Sequence, residues 1–221
     1  MQSELLNFYI NELYKNSLFS QKIIAESLGI WNDFSTEEKL FYESITQRDA
    51  DVNGCFSKKE FDEKHTYGEI TKSAVNTIYQ SLEKITDLKD KTFYDLGSGN
   101  GKIILHLALI SELGKINGIE ISPIRIAYSN HLMLKFLPEF LHTKINFIQN
   151  DFFQLDISDG DIIFINDICL HSMTPNIFDK MKVGSFLISS LKSIGEYKPV
   201  VQIPLNVTWT QRTVNYYIFK K

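Results

Sequence analysis

Up to about residue 85 the apolar positions recur at helical spacing. Leu6, Ile10, Leu13 and Tyr14 form one stripe, and Ile23, Ile24 and Leu28 form another that Gly29 stops. Ser35-Thr36-Glu37-Glu38 has the character of a helix start and leads into Leu40, Phe41 and Ile45, so residues 1–48 are expected to be helical. The stretch from Asp49 to Gly68 is polar, carries two glycines, and is expected to be a loop with one helical turn at most. A helix resumes over about Ile70–Ile85.

Beyond this point short apolar runs alternate with helical stripes. Strands are expected at Thr92–Leu96, Ile116–Ile121, Ile145–Gln149, Asp161–Asn166 and Ser185–Ser190, with helices at Lys102–Leu113, Ser122–Phe140 and about Pro175–Met181. Buried strands alternating with helices imply a parallel sheet with right-handed crossovers. The end differs, because Val200–Trp209 and Val214–Phe219 flank a polar turn at Gln211-Arg212 and read as an antiparallel hairpin. The expected fold is α/β: a seven-stranded, mostly parallel Rossmann-like sheet with a C-terminal antiparallel hairpin, preceded by a small helical region. The expected division is 1–66 for the helices and acidic loop and 67–221 for the α/β domain.

Composition narrows the picture. The length of 221 residues suits one domain, or one with an appendage, and 43% hydrophobic with 23% charged residues is ordinary for a soluble globular protein. A formal charge of −4 gives no support for strong independent nucleic-acid binding. Cys55 and Cys169 have no metal-type spacing, so neither a disulfide scaffold nor a zinc site is expected. No apolar run approaches the ~20 residues of a membrane span. The start lacks a secretory layout, so an intracellular protein is expected.

Candidate chemistry concentrates in Phe93-Tyr94-Asp95-Leu96-Gly97-Ser98-Gly99-Asn100-Gly101-Lys102. An apolar strand runs into an acid, glycines follow at alternate positions, and a helix begins at Lys102. Glycine permits positive φ and lets a ligand approach without meeting a Cβ. Asp95 would meet a cationic or hydroxyl-bearing ligand at the strand's carboxyl end. Glu120 ends the second strand, nineteen residues after Gly101, where a carboxylate can accept both hydroxyls of a ribose. Asp151-Phe152 follows the third strand and offers an acceptor for an amino group and an aromatic face for a base. Asn166-Asp167 ends the fourth. Nicotinamide-binding domains use a similar turn, but the spacing here is G-x-G-x-G and an acid precedes it. The run resembles the S-adenosylmethionine-binding signature of class I methyltransferases, including Ser98, Gly99 and Lys102 among the cofactor-binding positions.

Further segments follow in a fixed order: Thr66-Tyr67-Gly68-Glu69-Ile70-Thr71, Asn166-Asp167-Ile168, Leu187-Ile188-Ser189-Ser190-Leu191-Lys192-Ser193, Val207-Thr208-Trp209-Thr210 and Tyr216-Tyr217-Ile218. Together they resemble the catalytic core of the disruptor-of-telomeric-silencing (Dot-one type) family, the non-SET histone lysine methyltransferases, over about residues 60–219. The resemblance implies that Tyr67, Gly68 and Glu69, with Thr71 close by, form a loop over the methionine part of the cofactor. Asn166 would sit beside the sulfonium and the target amine. Trp209 and Tyr217 would wall a channel for a lysine side chain, with Ser190 near its mouth. The implied partner is a protein lysine substrate, histone or nucleosome, which would make the location nuclear rather than cytoplasmic. This chain departs from the family by Asp167 where a second asparagine is usual, by Ile70 where a hydroxylated residue is usual, and by having few basic segments to hold DNA.

Methyl transfer from a sulfonium needs alignment, worth ~7–11 kcal/mol, and a deprotonated amine that starts from a pKa of about 10.4. Asp167 reads either as a base for that proton or as the cap of the following turn. Two rivals stand beside the lysine reading: a same-fold enzyme acting on a small molecule or non-histone protein, and a non-catalytic cofactor-binding module. Asp49-Ala50-Asp51-Val52-Asn53-Gly54 with Glu60 matches the spacing of a calcium loop, but such loops normally come in pairs and an acidic turn is the simpler reading. His65, His106, His131, His142 and His171 show no ligand spacing and read as packing or surface residues, and Cys169 reads as a small buried residue. The N-terminal helices read equally as a substrate-guiding lid or as plain packing.

Overall fold

Runs such as Ile162-Ile163-Phe164-Ile165 and Phe186-Leu187-Ile188 are apolar on both faces, which suits strands covered on both sides. The computed structural model describes residues 69–221 apart from Cys169 and Trp209. The expected N-terminal helices, the candidate calcium loop, Cys55, His65, Tyr67, Gly68, Cys169 and Trp209 therefore lie outside the described residues.

In chain order the elements are α1 (Lys72–Glu83), β1 (Thr92–Leu96), α2 (Lys102–Ile110), β2 (Lys115–Glu120), α3 (Pro123–Phe136), α4 (Glu139–His142), β3 (Ile145–Gln149), β4 (Ile162–Ile165), α5 (Thr174–Lys180), β5 (Phe186–Ser189), β6 (Val201–Leu205) and β7 (Val214–Lys220). The seven strands form one sheet in the order β3-β2-β1-β4-β5-β7-β6. The first five are mutually parallel, and β7 runs antiparallel to both β5 and β6. Strand order reverses between β1 and β4, and a ligand crevice opens outside the carboxyl ends of the strands at such a switch point.

One sheet face, with Phe93, Ile116, Phe164, Ile188, Tyr216 and Ile218, packs against α1, α2 and α3. The other, with Tyr94, Ile163, Leu187, Tyr217 and Phe219, packs against Ile177 and Phe178 of α5. Three expected boundaries shift. The helix expected over Ser122–Phe140 breaks at Leu137-Pro138 into α3 and α4, because proline disfavours helical backbone in the residue before it. The helix expected to reach Leu113 ends at Ile110. The first arm of the hairpin ends at Leu205, and the chain then leaves the hairpin to form an antiparallel bridge, Ile70↔Val207.

Candidate active site

The glycine turn between β1 and α2 has Gly97, Gly99 and Gly101 all at positive φ, between 53° and 84°. The amides of Gly97 and Ser98 donate to the carbonyl of Ile119, at 2.8 and 2.9 Å, and that of Gly101 donates to Ser98. The amide of Gly99 donates to Glu120 Oε2 at 2.9 Å. With these four amides used inside the fold, the turn has none of them left for a phosphate, unlike a dinucleotide-binding turn. Two of the glycines do different work. A Cβ on Gly97 would meet nothing within 4 Å and would project into open space, whereas one on Gly101 would lie 2.5 Å from the Phe147 ring and 3.0 Å from Ser129 Cβ. Gly101 lets α2 pack on β3, and Gly97 keeps the crevice clear.

Asp95 and Glu120 lie near the carboxyl ends of neighbouring parallel strands, 1% and 3% exposed. Asp95 Oδ2 and Ser98 Oγ are buried without a hydrogen-bond partner. An orphaned buried oxygen costs free energy until something satisfies it. Burial, reinforced by the charge of Glu120, pushes the Asp95 carboxyl up to about 8. The site is therefore suited to a ligand that brings a cation or hydroxyls. Glu120 accepts from the amides of Gly99 and Ser122, one on each oxygen, with Arg125 at 3.8 Å. A carboxylate has about four lone-pair directions, so two remain for the hydroxyls expected there.

The other expected cofactor residues are distributed around this point. Glu69 and Lys102 form an ion pair at 3.0 Å with little exposure of either side chain. Glu69 is also tied to the hairpin: its amide donates to Thr208 Oγ1 at 3.0 Å, and its carbonyl accepts from the Thr208 amide at 2.9 Å. Thr71 caps α1, accepting from Ala74, and its own hydroxyl donates to the Asn206 carbonyl. Asp151 Oδ1 accepts from the Phe153 amide, which fixes the turn carrying Phe152.

At the end of β4, Asn166 Oδ1 accepts the hydroxyl of Tyr216 at 2.6 Å. Tyr216 was not among the expected site residues. Its neighbour Tyr217 was, but Tyr217 packs with Tyr94, Leu187 and Phe219 on the opposite face. Alternation along β7 decides between them, since Tyr216 shares the face of Ile218 and Phe164. Burial, with help from the charges of Asp167 and Asp95, raises the Tyr216 phenol far above its ordinary value, so it stays a donor. Asp167 is fully buried and accepts four hydrogen bonds, from the Thr174 and Ser189 hydroxyls and from the Ser190 amide and hydroxyl, at 2.5–2.8 Å. These bonds make it the brace between β4, α5 and β5. Ser190 Oγ in turn lies 2.8 Å from His171 Nε2.

A glycine turn with consumed amides, acids ending β1 and β2, and a β7 inserted antiparallel between β5 and β6 define a class I methyltransferase fold. The similar solved structures agree on that fold. An RNA methyltransferase from Salinibacter ruber, in complex with S-adenosyl-L-homocysteine, matches with a TM-score of 0.53 at 21% identity over 69% of this chain and 94% of that one. The B. subtilis M1A22 tRNA methyltransferase TrmK matches with a TM-score of 0.53 at 13% identity, over 66% of this chain and 64% of that one.

Within that class, the chain belongs to the family "Histone methylation protein DOT1", whose model matches residues 50–220. It is 27% identical over 172 residues to the "Histone-lysine N-methyltransferase, H3 lysine-79 specific" of Caenorhabditis elegans, covering 71% of this chain. It is 26% identical over 185 residues to the protein of the same name from Drosophila melanogaster, covering 69% of this chain. The matched stretch is 17% of the length of the first relative and 10% of the second. Among the described residues no group of His, Cys, Asp and Glu is arranged to hold a metal, and no helix is long and apolar enough to cross a membrane.

Proposed function

We propose that the chain is an S-adenosylmethionine-dependent protein lysine N-methyltransferase that acts on a histone. The observation that carries this reading is the pairing of Tyr216 with Asn166 at the switch point that also holds the orphaned Asp95 and Ser98 oxygens. Asp95, Ser98, Glu120 and Asp151 would hold the nucleoside half of the cofactor, with Gly97 and Gly99 giving it room and Phe152 at the base. Glu69 and Lys102 carry the opposite charges that suit its α-amino acid end, and Tyr67, Gly68 and Thr71 neighbour Glu69 in sequence.

The bound cofactor supplies an electrophilic methyl on a cationic sulfur. The chain's part is positioning. Asn166, its amide oxygen held by Tyr216, presents a fixed dipole beside the amine. Trp209, the expected channel wall, follows in sequence Thr208, whose backbone is tied to Glu69. A lysine entering beside a sulfonium loses its proton more readily, through desolvation and like-charge repulsion. The match to the DOT1 family supports a histone substrate and hence a chromatin location.

The test is radiolabelled methyl transfer with free histones, intact nucleosomes and total cell extract offered in parallel. Label on a histone lysine, lost in Asn166→Ala with cofactor affinity kept, is the expected result. Label confined to a small molecule or another protein would move the substrate elsewhere. Cofactor binding without any label would favour a non-catalytic module.

A further inference from the structure

Resting on that reading, we propose that His171 receives the proton shed by the target ammonium, held and oriented for this by Ser190 and Asp167. The chain of contacts runs from the inside outward. Asp167 adjoins Asn166 in sequence and is fully buried, and its Oδ1 accepts both the amide and the hydroxyl of Ser190, at 2.8 and 2.7 Å. A serine hydroxyl has one proton. Once that proton is given to Asp167, Ser190 Oγ can only accept from His171 Nε2, which lies at 2.8 Å. Nε2 therefore carries the ring hydrogen, and Nδ1 is left with the basic lone pair.

This anchor is indifferent to the protonation state. Nε2–H donates to Ser190 in both neutral imidazole and imidazolium, so Nδ1 can gain and lose a proton while the ring stays in place. The ring is also accessible: His171 is exposed, on the turn that leaves the carboxyl end of β4 just after Asn166. Ile168 and Met173, 38% and 37% exposed, bracket this turn and give a bound polypeptide an apolar edge to cover. Among the described residues, the charged and titratable groups on the elements meeting here are Asp167 after β4, Lys192 just beyond β5, Tyr216 on β7, whose hydroxyl is given to Asn166, and Tyr217, which pairs with Ser189. On α5, Asp179 lies 3.5 Å from Lys221, and Lys180 donates to the Phe153 carbonyl. Among the described residues, Asp167 connects to the ring through Ser190.

The step balances. The ammonium N–H bond breaks with its electron pair staying on nitrogen, and the proton goes to Nδ1. The neutral amine then takes the methyl as the sulfur–carbon pair returns to sulfur, and the imidazolium gives its proton to solvent.

The test is the pH profile of kcat with free histones and nucleosomes, for the wild-type chain, His171→Gln and Ser190→Ala. Glutamine can still donate to Ser190 but cannot take up a proton. His171→Gln is expected to lower kcat by about tenfold or more near neutral pH, with histone KM and cofactor Kd within about twofold. Its remaining activity should climb with pH as free amine accumulates, and added imidazole should restore part of it. Ser190→Ala should shift the midpoint of the profile and lower kcat less. A wild-type profile in His171→Gln, or a loss explained by cofactor Kd, would overturn the assignment of His171 and leave the lysine reading standing. If the wild-type chain labels no protein lysine, both fall.

Discussion

The two halves of the site are built on opposite principles. At the ends of β1 and β2 the backbone is in positive φ, and buried oxygens on Asp95 and Ser98 lack partners. At the ends of β4 and β5 the buried acid, Asp167, has four donors, and Asn166 is held by Tyr216. The first half is incomplete until a ligand arrives. The second is finished in advance, as a part that must hold a nucleophile in line should be. Removing the buried carboxylate should therefore have opposite consequences in the two halves.

Removing the acid of the finished half should cost most. Asp167→Ala would strand the hydroxyl of Ser189 and the amide of Ser190, and we expect a loss of about 3–5 kcal/mol in urea unfolding. A loss under about 1 kcal/mol would mean that water replaces the carboxylate and that the brace is not structural.

Next come the glycines, which divide the incomplete half. Gly101→Ala places a Cβ against Phe147 and Ser129 at φ +73°, and should destabilise by about 2–4 kcal/mol. Gly97→Ala has room around its Cβ and should cost only about 1–2 kcal/mol for its left-handed backbone. Gly97→Arg, whose long side chain would fill the crevice, should abolish cofactor binding by calorimetry. Near-normal affinity there would show that the ligand does not cross the turn.

Asp95→Asn should go the other way, stabilising the ligand-free protein by about 1–3 kcal/mol while abolishing cofactor binding. The sign follows from the carboxyl's position at about 8 when folded, against 3.8 ordinarily. The folded state holds the proton longer, so this contribution is fully present below about 4 and is lost as pH rises through about 8. The gain in Asp95→Asn should therefore grow over that interval. A cationic ligand should cancel the trend and be taken up with release of a proton, which calorimetry in buffers of different ionisation enthalpy would detect. A variant less stable than the wild type at pH 8 would remove the idea that this half is strained.

How much of this was legible beforehand follows the range of the interactions. The sheet was, because a change of hydrophobic period is a local signal, and so was the position of Asp95, Glu120 and Asn166 at the ends of strands, because strand ends can be counted. The break at Pro138 was missed, because the apolar stripe running through the proline reads as one helix. The departure of residues 206–208 from the hairpin was not legible, because it depends on bonds to Glu69 and Thr71 more than a hundred residues earlier. The role of Gly101 was hidden for the same reason, since Phe147 comes from another strand. Tyr216 could have been found. Matching the order of two tyrosines left their faces open, whereas alternation from Ile218 and Phe219 places the first on the side of Asn166.

That pair of tyrosines gives the smallest and sharpest comparison. Tyr216→Phe removes one hydroxyl from Asn166 and keeps the ring stacked on Phe164, whose centroid is 5.9 Å away. The stability loss should be about 1 kcal/mol, the net worth of one hydrogen bond. Turnover should fall further than that figure alone implies, because Asn166 Oδ1 would lose the donor that Tyr216 supplies, while cofactor affinity stays near the wild-type value. Tyr217→Phe, on the opposite face, should leave turnover unchanged. Stopped assays with a saturating cofactor would separate the two variants. Equal losses in both would mean that the hairpin acts only through its packing, and that Asn166 is not held by Tyr216 during the reaction.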